Sequence, residues 1–135
     1  MDAGRLTLWL GGVFGVFTSW LGLRTESART FNDPSELAIV FGILLWTLSP
    51  YALLATAARF GKFQAVIWGA PIVLIVIGFY GNLAYADVNF HFWTKSDAQE
   101  GLIFLVMPFV QNVVAAGSMG LLVAIGAWLE RRKRP

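Results

Sequence analysis

The sequence has no cysteine, which excludes disulfides, thiolate metal sites and thiol redox chemistry. Charge is scarce as well: 13% of residues are Asp, Glu, Lys or Arg, against roughly 25% in ordinary soluble domains. Histidine occurs once, as His91. It could pair with Asp87 or Asn89 to hold a cation, but one imidazole with two weak oxygen ligands makes a poor transition-metal site. No phosphate-cradling glycine loop or dinucleotide fingerprint is present, and no nucleophile, base and orienting group can be assembled from the polar residues. No catalytic, cofactor-binding or metal residues are therefore expected, no cofactor is expected, and an enzyme is the least favoured class. The net charge of +2 is too small to argue for nucleic acid as a partner.

What the sequence has in abundance is apolar length. Of its 135 residues, 57% are hydrophobic and 15% aromatic. Long uncharged runs extend over Leu6 to Leu23, Leu37 to Ala58, Phe63 to Tyr85 and Gly101 to Leu129, and all ten basic and eight acidic residues lie outside them. Each run is at least the eighteen or so residues needed to cross a hydrocarbon core about 30 Å thick. A charge at the centre of a membrane helix costs about 2.5 to 3.5 kcal/mol, which accounts for the segregation. The fold expected is an all-α membrane protein: one domain over residues 1–135, an antiparallel bundle of four transmembrane helices. Arg5 ahead of the first run resembles a secretory signal, but no small-x-small cleavage site follows Leu23, so retention as a true span is expected.

Four spans place both termini on one side. Arg5, Arg59, Lys62, Arg131, Arg132, Lys133 and Arg134 then share a side, against Arg24, Arg29 and Lys95 on the other. The excess of cations predicts cytoplasmic termini in an inner or plasma membrane, with the Arg131, Arg132, Lys133 and Arg134 run as the topogenic signal. Trp9, Trp20, Trp68 and Trp128 fall at span ends, where amphipathic rings prefer to lie; Trp46 alone is placed deep.

Small residues recur at four-residue spacing on two spans: Gly11, Gly15 and Ser19 on the first, Ala116, Gly120 and Ala124 on the fourth. Such stripes let helix backbones approach closely where lipid removes the hydrophobic drive, so both are expected to be packing faces. Thr47, Gln111 and Asn112 lie about 15 Å below the outer surface by helix rise and form a candidate embedded polar layer. Interhelical hydrogen bonding is the simpler role for that layer, and a pore or substrate lining the alternative. Pro50 and Pro71 fall at similar depths as matched kinks.

Asp33-Pro34-Ser35-Glu36 reads as a helix cap with proline at the first helical position, and Ser96 or Asp97 with Gln99 or Glu100 as a second cap. Between them, the alternation of Asp87, Asn89 and His91 with Val88, Phe90 and Phe92 predicts an extended outer loop over 86–100 with one wet and one greasy face. In size and span count the chain resembles the small multidrug exporters. The membrane-embedded carboxylate of their first helix has no counterpart between Leu6 and Leu23, which argues against proton-coupled exchange of that kind, and none of the four spans contains an ionisable side chain of that sort.

Three functions are compatible with these features. The preferred one is a non-catalytic accessory or structural subunit of a larger membrane assembly, with the lipid bilayer and other membrane subunits or further copies as partners. The alternative is a homo-oligomeric channel or facilitative carrier. A holin-like permeabilising protein comes third.

Overall fold

The computed structural model describes residues 2–26, 34–92 and 102–132. They form four helices and, among the described residues, no strand: α1 (Ala3–Glu26), α2 (Pro34–Phe60), α3 (Gln64–Phe90) and α4 (Ile103–Arg132). All four are long and apolar enough to cross a membrane. The protein is an all-α membrane protein built as a four-helix bundle.

Local chemistry sets the ends. Asp2 caps α1, its Oδ1 accepting the Arg5 backbone N–H at 2.7 Å. Pro34 opens α2, where its missing N–H costs nothing; the expected cap Asp33 and the second cap at 96–100 lie outside the described residues. Gly61, Lys62 and Phe63 alone separate α2 from α3, forcing an antiparallel hairpin.

The end of α3 corrects the sequence reading. Residues 86–90 are helical, not extended, and the helix stops at His91, in the left-handed conformation at φ 51° and ψ 48°. Asn89 Nδ2 donates to Tyr85 O at 3.0 Å and to Leu21 O at 3.2 Å, while Ala86, Asp87 and Val88 are buried. The extra turn seats Ala86 and Val88 in the cluster around Leu21 of α1, and this tertiary burial overrides the two-residue alternation. It also brings an ionisable side chain, Asp87, into a helix that was expected to hold none.

α3 is the centre of the bundle. Half of its most apolar stretch is buried, against 17–22% of the corresponding stretches of the other helices. Its inward residues Val66, Ala70, Leu74, Ile77, Gly81, Tyr85 and Val88 follow steps of four, four and three. Phe104, Pro108, Gln111, Ala115, Met119 and Gly126 do the same on α4. One apolar cluster joins Tyr51, Leu54, Leu74, Ile77 and Ala115, and a second gathers Leu21, Tyr85 and Phe104, whose rings stack at 4.7 Å between Tyr85 and Phe104.

Close packing is carried by other small residues than the expected stripes alone. Gly15 is buried, and a Cβ added there would come within 3.1 Å of the Leu48 side chain; one added at Gly11 would make ordinary contact with Leu74 and Tyr51, and Ser19 is half-buried. The second stripe faces away: Ala116, Gly120 and Ala124 are exposed, and a Cβ added at Gly120 would meet nothing within 4 Å. Packing within the bundle through that stripe is therefore corrected. Gly126 lies on the inward side instead, where a Cβ would come within 2.6 Å of Phe63, and Gly78 of α3 sits against the Phe14 ring, 2.8 Å from where its Cβ would be. Those glycines let bulky partners seat directly on the backbone.

Candidate functional site

The polar residues of the spans converge between the helices. Thr18 from α1, Tyr51 from α2, Asn82 and Tyr85 from α3 and Gln111 from α4 are all buried. The Thr18 hydroxyl donates to Asn82 Oδ1 at 2.9 Å. Its single proton is thereby used, so the Tyr51 hydroxyl is the donor in its 3.1 Å contact with Thr18. Asn82 Nδ2 closes the ring by donating to the Tyr51 oxygen at 3.4 Å, and its second proton goes to Gly78 O at 2.8 Å. One turn further out, the Tyr85 hydroxyl donates to Gln111 Oε1 at 3.4 Å, and Gln111 Nε2 donates to Ile77 O at 2.8 Å.

The backbone makes room for this. Gly81 faces Gln111, and any Cβ there would overlap the amide that reaches Ile77. Among the described residues no buried side-chain nitrogen or oxygen lacks a hydrogen-bond partner. In hydrocarbon that matters more than in water, because no solvent is present to satisfy a stray donor. The network is neutral and bonded throughout, and it ties all four helices together.

The expected polar layer is divided by the structure. Gln111 belongs to the network, but Thr47 donates to Leu44 O of its own helix at 2.8 Å. Asn112 points to a different task. Pro50 cannot donate to Trp46 O, and the Ser49 hydroxyl donates to that carbonyl instead at 2.7 Å. Asn112 Nδ2 then donates to Ser49 Oγ at 2.7 Å, bracing the proline break of α2 from α4. Trp46, exposed on the lipid side, returns a bond from its ring N–H to Leu105 O at 2.9 Å, beside the break at Pro108. His91 is exposed at the end of α3, and the Asn89 amide proposed to face it is engaged with backbone carbonyls. Arg131 and Arg132 are exposed at the end of α4; Lys133 and Arg134 lie outside the described residues.

Sequence reasoning missed Thr18, Tyr51, Asn82 and Tyr85. The signal was available: within an apolar span, a side chain that costs energy in lipid belongs on the inward face. The network contains no charged group, no nucleophile beside a base, and among the described residues no group of three or more His, Asp or Glu side chains suited to a metal. Its chemistry is hydrogen bonding.

No protein-family model matches the chain, and no solved structure matches it. Among curated proteins it is 34% identical over 123 residues to the probable potassium transport system protein Kup 2 of Sinorhizobium medicae (strain WSM419). The match covers 88% of this chain and 18% of that protein. The chain therefore spans less than a fifth of the length of the transport protein it resembles.

Proposed function

We propose that the chain acts as a non-catalytic, four-helix accessory or structural subunit of a membrane assembly that handles potassium, with both termini cytoplasmic. The observation that carries this reading is the centre of the bundle, where neutral side chains from all four helices satisfy one another's hydrogen bonds. A bundle closed in this way suits a scaffold. The similarity to a stretch of a much longer potassium transport protein supports potassium handling as the setting. Extraction from native membranes in mild detergent tests it. A stoichiometric membrane partner is expected, and a lone monomer without co-purifying protein would overturn the reading.

A second reading, a homo-oligomeric channel or facilitative carrier, is favoured by the same relative and by the five buried oxygen-bearing side chains on four helices. Potassium and rubidium flux into liposomes holding only this chain separates the two. Flux that Asn82→Leu abolishes would replace the subunit reading, and absence of flux for both ions removes the carrier.

A further inference from the structure

The outer surface of the bundle carries an apolar groove of about 620 Å³ between α1 and α2. Gly11, Gly12 and Gly15 form its floor and Leu48, Ala52 and Ala55 its far wall. At its inner end, one helical turn beyond Ala55, lies a second cleft of about 570 Å³ between the start of α1, the end of α2 and Ile67 of α3. This cleft is lined by Arg5 and Arg59, and Leu8 lines both depressions, so that they adjoin along α1.

We propose that the two together bind one anionic phospholipid of the leaflet at the α1 N-terminal end, its phosphate between Arg5 and Arg59 and one acyl chain along the glycine floor. Length permits this. From Leu8 to Leu23 the groove follows α1 for about 22 Å, more than the roughly 15 Å that one leaflet contributes to a 30 Å core, so an acyl chain fills the part nearer the arginines. Charge supports it: two guanidinium groups stand at the polar mouth of a groove whose walls are mostly apolar, with Ser19, Trp20 and Tyr51 among glycine, alanine, valine and leucine. Asp2 also lines the cleft, but its Oδ1 is committed to the Arg5 backbone N–H and its Oδ2 lies 3.6 Å from Arg5 Nε. It reduces the positive charge at the mouth without cancelling it.

A transmembrane helix is the competing occupant of such a groove, and the polar cleft decides against it. A helix would leave both arginines facing its own end, whereas a phospholipid satisfies the cleft and the groove with one molecule. This inference is independent of the subunit and carrier readings, since its readout involves neither partner nor flux.

The test is titration of purified protein in micelles with phosphatidylglycerol or phosphatidylcholine, bound lipid being counted by native mass spectrometry. Wild type is expected to prefer phosphatidylglycerol, with about fivefold of that preference lost per arginine in Arg5→Gln and Arg59→Gln. Arg131→Gln with Arg132→Gln leaves the count unchanged, because those side chains lie on α4 outside the cleft. Asp2→Asn keeps a cap and removes the opposing charge, so it raises the preference. Gly12→Leu fills the groove from a position where a Cβ meets nothing within 4 Å, and lowers binding of both lipids without unfolding the bundle.

Equal binding of the two lipids by wild type, or an unchanged preference in the Arg5→Gln, Arg59→Gln double variant, would overturn the assignment. Photo-crosslinking from Gly12→Cys, the sole thiol of such a variant, in native membranes supplies a check that needs no purification. A lipid adduct is expected, and a protein adduct in its place would assign the groove to a partner helix.

Discussion

Asn82 is the residue on which the polar network closes, because its amide accepts from Thr18 and donates to both Tyr51 and Gly78. Interhelical hydrogen bonds in membranes are worth about 0.6 kcal/mol on average and about 1.7 at most, since the lipid-embedded unfolded state also finds partners. A double-mutant cycle of Thr18→Val and Asn82→Leu should therefore give a coupling near 0.6 kcal/mol in reversible unfolding from mixed micelles. A coupling indistinguishable from zero would mean that the 2.9 Å bond contributes nothing. Glycine makes a sharper contrast. Gly81→Ala forces Gln111 off Ile77 and should cost about 1 to 3 kcal/mol by overpacking, whereas Gly120→Ala points into open space inside a helix and should leave monomer stability unchanged or raise it by up to about 1 kcal/mol. Equal losses would contradict the orientation of α4.

At the level of the helix, the last turn of α3 is the segment in which local pattern and tertiary packing disagree. Asn89 holds that turn through Tyr85 O and pins it to α1 through Leu21 O. Arg24 adds a cover, its guanidinium 4.7 Å from the Phe90 ring. Asn89→Ala should speed hydrogen exchange of the amides from Asp87 to His91 several-fold and leave the α3 centre protected; unchanged exchange would show that burial alone holds the turn. His91 terminates the helix in a conformation that glycine adopts without cost. His91→Gly should accordingly raise stability by about 0.5 to 1 kcal/mol, read in the same unfolding assay.

The helices themselves were plain in the sequence because exclusion of charge from lipid is a strong, local signal; α2 starts at Pro34 as its cap predicted. The inward faces were not plain. In water an apolar stripe marks the core, but here Val16, Phe41, Leu45, Ile72 and Leu121 are as apolar as anything inside and face outward. Spacing of small residues failed on α4 for a related reason. Ala116, Gly120 and Ala124 satisfy the four-residue rule, yet the inward seam runs through Ala115, Met119 and Gly126, one position away at Ala115 and Met119. Thr7, Thr18, Thr47, Asn82 and Gln111, all buried, mark that seam and its counterparts more reliably than any apolar residue.

For the molecule as a whole, the network and the distribution of cations act at different places. Closure at the centre fixes which helices touch, while Arg5, Arg59, Lys62, Arg131 and Arg132 gather at the end of the bundle where α1 begins and α4 finishes. Arg24 stands at the opposite end of α1. Cations retained on one side during insertion predict that this end is cytoplasmic. Because the sequence contains no cysteine, Gln64→Cys and Phe92→Cys each create a single thiol, at the exposed start of α3 and just beyond its end. An impermeant maleimide added to intact cells should label Phe92→Cys and spare Gln64→Cys until the membrane is opened. The reverse pattern would invert the bundle, and equal labelling of both before opening would mean that α3, despite its length, does not separate the two compartments.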